Sequence, residues 1–210
     1  MLRSWLNTRA YQKHERDFRS RELPPLITWL DEPADIVSIF SGPSKILETI
    51  ARGRGLAPMQ GIDRVASPPC DILNNVQFAN LMVGLLTRAP TLVLFAPCCT
   101  AWSKTQDMNA RWPDQRARLQ AARDEQREVL RRVGIICHAV KSWNGYVMIE
   151  NPAYSRLWLE PAIEKIKAEA PHGRRWRYAE LNFCRVGGPH FKRMRFLTNA
   201  PRWATAHMEL

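Results

Sequence analysis

The sequence lacks any apolar run of the roughly 20 residues that a membrane-spanning helix needs, and its N-terminus lacks the apolar core of a secretory signal. Its five cysteines, Cys70, Cys98, Cys99, Cys137 and Cys184, form no C-x-x-C pair. No cysteine or histidine spacing matches a zinc site, so we expect no metal. An odd set of thiols indicates a reducing intracellular compartment, cytoplasmic or nuclear (nucleoid in a bacterium), where they are core residues or reactive groups.

Acidic residues are also few, because 20 Asp and Glu stand against 31 Lys and Arg and leave a net charge of +11. A sequence pI near 10 is the electrostatic signature of a protein that binds a polyanion. Arginines also alternate with aromatic residues between Arg174 and Tyr178. That interleaving favours a nucleic acid as the partner over a basic surface kept only for solubility.

The pattern along the chain divides it into a basic N-terminal arm or helix, residues 1–33, and one domain, residues 34–210. Pro24 and Pro25 end the helical part of the arm, because proline breaks helices. In the domain, short apolar runs alternate with helical patterns, which predicts βαβ units and an α/β fold with a mostly parallel sheet. We expect strands near 36–40, 59–62, 92–95, 146–149, 178–183 and 195–198, and helices near 44–54, 71–88, 114–143 and 161–170.

Parallel strands bring their carboxyl ends to one edge of the sheet, where open α/β sheets bind ligands. The apolar run Leu92–Phe95 stops at Pro97, Cys98 and Cys99, so it delivers two thiols to that edge. A cysteine there is a candidate nucleophile, since thiolates attack carbon readily and can leave again. Other strand ends supply further polar groups: Phe40, Ser41 and Gly42, then Asp63 and Asp71, and finally Glu150 and Asn151.

This order of motifs resembles the cytosine-C5 DNA methyltransferases, and in particular their compact, divergent phage and mobile-element branch. That family places its nucleophile in a Pro-Cys motif with a serine four residues after the cysteine. Cys99 and Ser103 have this spacing, with Cys98 in place of the proline. The alternative alignment uses Pro97 and Cys98, which restores the proline and puts the serine five residues away.

Two further segments match the same family. Glu150, Asn151 and Pro152 resemble its Glu-Asn motif, and residues 192–199, KRMRFLTN, resemble the basic strand that closes its catalytic domain. About forty residues separate Asn151 from Lys192, where typical members carry a target-recognition domain. The resemblance therefore implies a Rossmann-like methyltransferase fold in which that domain is reduced or absent, with low sequence selectivity.

The resemblance also implies roles for individual residues. Cys99, or Cys98 in the alternative alignment, adds to C6 of a cytosine that has left the duplex. Glu150 supplies the acid at N3, Asn151 positions its neighbours, and Arg195 holds phosphate or orders the catalytic loop. S-adenosylmethionine is expected at Phe40, Ser41, Gly42, Asp63, Asp71 and Pro97. Nucleic acid is expected at Ser103, Lys104, Arg174, Arg175, Lys192 and Arg193.

Two other functions compete with this one. Asn151, Pro152, Ala153 and Tyr154 resemble the Asn-Pro-Pro-Tyr motif of methyltransferases that act on exocyclic amines, in which no thiol takes part. The second competing function is that of a nucleic-acid-binding module, which would have a methyltransferase-like fold but no catalytic activity. DNA is the expected partner in the leading interpretation, and RNA fits the same basic charge.

Overall fold

Five strands form one mixed sheet in the computed structural model, which describes residues 34–40, 42, 46–66, 69–169, 174–182, 184 and 191–208. The predicted arm, residues 1–33, and Ser41 lie outside these residues. The strand order is β1-β2-β3-β5-β4. The strands are β1 (Ile36–Ile39), β2 (Leu92–Phe95), β3 (Tyr146–Pro152), β4 (Arg177–Asn182) and β5 (Arg193–Thr198).

The strands β1, β2 and β3 pair in parallel, whereas β5 is antiparallel to both β3 and β4. Of the described strands, four therefore point the same way and β5 is reversed. The predicted α/β class is confirmed, with a sheet that is parallel at its first three strands and mixed beyond them. The antiparallel pairing of β5 also brings the beginning of β5 next to the end of β3.

Helices cover the connections between the strands, and short polar caps set where they begin. The side chain of Asn74 accepts the N–H groups of Val76 and Gln77 and caps the second helix, so this helix begins after Asp71 rather than at it. The last helix begins at Pro161, where the missing N–H of proline has no cost. The helices are α1 (Ile46–Gly53), α2 (Asn75–Arg88), α3 (Lys104–Asn109), α4 (Pro113–Val140) and α5 (Pro161–Ala168).

The core lies on one face of the sheet. Alternate residues of the three parallel strands are at most 1% exposed there, as strand geometry requires of a covered face. The long helix α4 contributes apolar residues at helical spacing to the same cluster. The members from the three strands are Val37, Ile39, Val93, Phe95, Val147 and Ile149, and those from α4 include Val129, Leu130, Val133 and Ile136.

The predicted second strand, near 59–62, is an extended segment with incomplete pairing. Pro58 and Ile62 form isolated parallel bridges to β1 at its outer edge. The N–H of Ile62 donates to the carbonyl of Ser38 across 2.8 Å, but Pro58 has no N–H to give. The segment lies where the strand was predicted, but it forms isolated bridges to β1 instead of a regular hydrogen-bond ladder. Over the residues described here, no helix is both long and apolar enough to cross a bilayer.

Candidate active site

The chain reverses its direction across the sheet between β1 and β2. After β1 it runs to the outer edge of the sheet at residues 58–62, and it then returns to β2 on the other side of β1. Ligands of open α/β sheets bind at such a reversal, in the crevice beyond the carboxyl ends of the strands. The loops after β1, β2 and β3 therefore form the candidate site.

The loop after β1 has an uncommon backbone. Phe40 has a φ of 68°, and a bulky residue in this region stores strain of about 1–3 kcal/mol. Gly42 has a φ of 69°, which glycine adopts without that cost. Among the described residues, no atom beyond its chain neighbours lies within 4 Å of where a Cβ of Gly42 would sit. The backbone at Gly42 is thus open to close approach by a ligand.

Asp63 and Asp71 are the two acids predicted to bind the cofactor. In the structure, the carboxylates of both accept hydrogen bonds from backbone N–H groups. One oxygen of Asp63 accepts the N–H of Gly42 across 2.8 Å, and the other accepts the N–H of Val65 across 3.0 Å. The carboxylate of Asp71 accepts the N–H of Leu73 across 2.8 Å. A carboxylate has about four acceptor positions, so both acids keep capacity for the hydroxyl or amine of a ligand.

The loop after β2 carries the two thiols. Pro97 is buried, Cys98 is exposed and Cys99 is half-buried, and neither cysteine forms a disulfide. The carbonyl of Cys99 accepts the N–H of Trp102 across 3.1 Å, which starts the 3₁₀ turn Thr100–Trp102. Trp102 is 1% exposed and belongs to the core. This buried ring anchors the segment that follows the thiols.

Asn151 joins β3 to the same loop. Its Nδ2 donates to the carbonyl oxygen of Pro97 across 2.9 Å, and the residue is 1% exposed. Its Oδ1 is buried without a hydrogen-bond partner among the described residues. The predicted strand stops at Ile149, but β5 pairs with residues up to Pro152. The extension of β3 by this pairing is what carries Asn151 to the loop.

Glu150 precedes Asn151 and points to the opposite face of β3, because successive strand side chains alternate. It is half-buried, and this burial raises the pKa of its carboxyl group, while the positive charge of Lys192 acts in the opposite direction. A carboxyl group with a raised pKa stays protonated to higher pH and can act as a general acid.

The predicted basic contacts at the start of β5 lie at this edge of the sheet. Arg195 is the cross-strand partner of Asn151, and its Nε donates to Glu180 on β4 across 2.8 Å. Arg193 forms an ion pair with the same carboxylate. Partial burial acts to raise the pKa of Glu180, but these two pairs together outweigh it and hold the pKa below its ordinary value. Glu180, which the motifs do not single out, orients both arginines.

An exposed aromatic ring connects two of the predicted basic residues. Tyr154 is 64% exposed, directly after the Glu-Asn segment. The guanidinium of Arg193 donates to its hydroxyl across 3.3 Å, and the ammonium of Lys104 lies 5.8 Å from its ring centroid. Ser103, just before Lys104, accepts the N–H of Thr105 and caps α3.

Arg174 and Arg175 lie elsewhere. The guanidinium of Arg174 stands 4.4 Å from the ring centroid of Tyr146, the first residue of β3, and donates to the carbonyl of Asn144 across 3.0 Å. The amino end of a parallel strand is the edge opposite the candidate site. Arg174 and its exposed neighbour Arg175 are therefore not brought together with the thiols.

Arg123 on α4 braces the segment that follows the thiols. It donates to the carbonyl of Ala101 across 3.0 Å and to Asp107 on α3 across 2.6 Å. The guanidinium of Arg156 lies 2.7 Å from the other oxygen of Asp107. No local motif marks Arg123, since it acts across 22 residues of sequence.

A cleft of about 480 Å³ opens beside Cys98, between the loop after β2 and the helices α3 and α4. Amide and guanidinium side chains line much of it, together with the exposed thiol. The lining includes Arg64, Cys98, Gln106, Gln115, Arg118 and Gln126.

No protein-family model matches the chain. No curated protein sequence matches it either.

Proposed function

We propose that the protein transfers a methyl group from S-adenosylmethionine to C5 of cytosine in DNA through a covalent adduct between Cys99 and C6. The observation that carries this proposal is the hydrogen bond from Asn151 to the carbonyl of Pro97. It brings the Glu-Asn segment to the loop that holds the thiols, 54 residues away in sequence. A nucleophile and an acid with a raised pKa thus share one edge of the sheet, which is the arrangement that this reaction requires.

The residues at the reversal of the chain fit the cofactor. When bound, S-adenosylmethionine supplies an activated methyl group on its sulfonium. The open backbone at Gly42 would accommodate it closely, next to Phe40 and Pro97. Asp63 would accept from the ribose hydroxyls, and Asp71 from the adenine amine, with the acceptor positions that their backbone contacts leave free.

The residues of the chain then account for the steps at the base. The thiolate of Cys99 adds to C6, and the negative charge that develops toward N3 is neutralised by a proton from Glu150. Addition at C6 makes C5 nucleophilic, so C5 takes the methyl group. Loss of the C5 proton to solvent water and departure of the thiolate from C6 restore the double bond, and N3 returns its proton to the Glu150 carboxylate. Asn151 fixes the loop through Pro97 while the thiol forms and breaks its bond.

One observation argues against the exocyclic-amine alternative. In that mechanism the asparagine side chain and the proline carbonyl accept hydrogen bonds from the amine. The carbonyl of Pro152 already accepts the N–H of Ser155 across 2.9 Å and the indole N–H of Trp158 across 2.8 Å. Both lone pairs are then occupied, and this carbonyl has no acceptor position for a substrate amine.

Mechanism-based trapping tests the proposal. An oligonucleotide with 5-fluorocytosine cannot lose its C5 substituent as a proton, so the adduct accumulates in the presence of S-adenosylmethionine. We expect the adduct to map to Cys99, to disappear in Cys99→Ser and to persist in the matched control Cys98→Ser. The reverse pattern would move the nucleophile to Cys98. If DNA and cofactor bind but no adduct forms, the catalytic proposal is wrong and a binding module is favoured.

A further inference from the structure

Arg132 is a buried arginine that joins the long helix α4 to the loop that carries Asp71. Only 7% of it is exposed. Its Nη1 donates to the carbonyl oxygen of Ile72 across 2.5 Å, and its Nη2 donates to the side-chain oxygen of Asn75, the first residue of α2, across 2.6 Å. The guanidinium carbon lies 4.9 Å from the ring centroid of Phe78. These contacts fix the guanidinium and, through it, both ends of the turn that leads from Asp71 into α2.

The acceptors of this guanidinium control the position of Asp71. The N–H of Asp71 donates to the side-chain oxygen of Gln77 on α2 across 2.5 Å, so Asp71 follows α2, which Arg132 holds through Asn75. Burying a charged group is costly, and apolar side chains often stabilise a helix contact as well or better. A guanidinium adds a rigid, planar set of donors that fixes the positions of its acceptors. Arg132 therefore supplies geometry that apolar packing would not.

Asp71 also lies close to the other acid of the candidate site. The backbone carbonyl of Asp63 accepts the N–H of Cys70, the residue before Asp71, across 2.8 Å. The carboxylate of Asp63 accepts the N–H of Gly42, where the backbone is open to a ligand. The loop of Asp71 is thus held from the candidate site on one side and from α4, through Arg132, on the other.

We propose that Arg132 is a positioning residue that sets the specificity of the site for adenine, because it holds the carboxylate of Asp71 where that group accepts the exocyclic amine of the methyl donor. This inference rests on the proposed function, in which Asp71 has that role. A fixed acceptor binds a matching donor more tightly than a mobile one, since it needs no ordering on binding. It also rejects a ring that carries an oxygen in place of the amine, because that oxygen has no hydrogen to donate.

The experiment compares the binding of S-adenosylhomocysteine and S-inosylhomocysteine, in which an oxygen replaces the adenine amine, by isothermal titration calorimetry. We expect the native protein to bind the adenosyl compound at least about tenfold more tightly, as for one hydrogen bond to a charged group. Arg132→Lys keeps the charge and loses the planar pair of donors. It should weaken binding of the adenosyl compound about tenfold and leave binding of the inosyl compound unchanged. Arg116→Lys, at an exposed position on the same helix, is the matched control and should preserve the ratio of the two affinities.

A double-mutant cycle separates a positioning role from a structural one. Asp71→Ala removes the acceptor, so Arg132→Lys should cause no further loss of affinity in that background, whereas losses that add would show that Arg132 supports only the fold. Asn75→Ala removes one acceptor of Arg132 at an exposed position and leaves the buried guanidinium in place. It should lower the ratio of the two affinities by about threefold, as for one hydrogen bond.

An unchanged ratio in Arg132→Lys, or in Asn75→Ala if Arg132→Lys does not fold, overturns the role of Arg132. Equal binding of the two compounds by the native protein overturns it as well. A native protein that binds neither compound rejects the proposed function and this inference together. Discrimination that depends on Arg132 without any 5-fluorocytosine adduct supports the inference and rejects only the proposed methylation.

Discussion

The Nδ2 of Asn151 donates to the carbonyl oxygen of Pro97 across 2.9 Å, inside the protein. This one contact links the end of β3 to the residue immediately before the two thiols. The carbonyl of Pro97 cannot be satisfied by the ladder between β2 and its neighbours, because β2 ends at Phe95. Asn151 therefore determines where the thiols lie relative to the neighbouring Glu150.

Asn151→Asp should be the most damaging single change at this contact. It replaces an N–H donor with an acceptor that faces the acceptor of Pro97, and it buries a carboxylate. We expect a loss of at least about 1–3 kcal/mol in the free energy of unfolding, the cost of a buried group left unsatisfied, with loss of the 5-fluorocytosine adduct. Urea denaturation measures the stability. Asn109→Asp, at an exposed position, should change stability by no more than about 0.5 kcal/mol.

Glu150→Gln should separate the effects of this acid on activity and on stability. Burial raises the pKa of the native carboxyl group, so the native state holds its proton more tightly than the unfolded state. The free energy of unfolding then falls as the pH rises from the pKa of the unfolded state through the pKa of the native state. Above this range the native protein must keep a buried negative charge on the carboxylate. The variant should lose this decline and be more stable than the native protein at pH 8.

The same variant should be about 100-fold or more slower in methylation, the contribution typical of a general acid. The measurements are urea unfolding between pH 4 and 8 and the single-turnover rate with a cytosine oligonucleotide. Glu164→Gln, on the solvated side of α5, should change neither. A Glu150→Gln protein that retains the native rate would remove the acid role from this residue.

Arg123→Lys should loosen the segment after the thiols while the helix beneath it stays folded. Lysine keeps the charge but cannot donate to Ala101 and Asp107 in the planar, two-pronged geometry of a guanidinium. We expect the rate of adduct formation to fall by about tenfold with little change in cofactor affinity, and hydrogen exchange to increase over residues 100–109. Arg131→Lys alters an exposed pair with Glu128 on the same helix and should affect neither measurement.

The sequence predicts the elements of this fold well because their signals are local. Leu92–Phe95 is a strand in the structure with the same bounds, and α4 differs from its prediction by one residue at its beginning and three at its end. α3 was missed because it has six residues and depends on the cap that Ser103 provides. The reach of β3 to Pro152 was also missed, because it depends on pairing with β5, a partner more than forty residues later.

For the candidate site too, the sequence predicts the residues with local signals and misses those that depend on distant contacts. Thiols and acids at strand ends are visible in the sequence because the carboxyl ends of parallel strands meet at one edge. Arg174 carries the same charge as Arg193, yet it lies at the opposite edge, because charge alone does not encode position. Glu180, which pairs with Arg193 and Arg195 across the sheet, has no motif of its own. Contacts made between strands or across helix faces leave no pattern in neighbouring residues.

Tyr154 offers the most direct test of the proposed nucleic-acid binding. Its ring is 64% exposed and lies between two cations, with Arg193 on its hydroxyl and Lys104 beside its face. An exposed aromatic ring flanked by positive charge suits stacking with an unpaired base whose phosphates meet the cations. The hydroxyl itself has no part in stacking. Removing it therefore distinguishes the contribution of the ring from that of the hydrogen bond with Arg193.

Tyr154→Ala should weaken binding of single-stranded DNA by about 5- to 150-fold, since stacking on one aromatic side chain contributes about 1–3 kcal/mol. Tyr154→Phe keeps the ring and should retain most of the affinity. Lys104→Ala should instead lower the slope of log affinity against log salt by about one, because it removes one phosphate contact. Fluorescence anisotropy at several salt concentrations measures both quantities.

Trp203→Ala is the control. It removes a ring that is 76% exposed and follows the end of β5. It should change neither quantity, because that end of β5 lies at the edge of the sheet opposite the thiols. Equal weakening by the alanine variants of Tyr154 and Trp203 would show that the DNA does not select the ring beside the candidate active site.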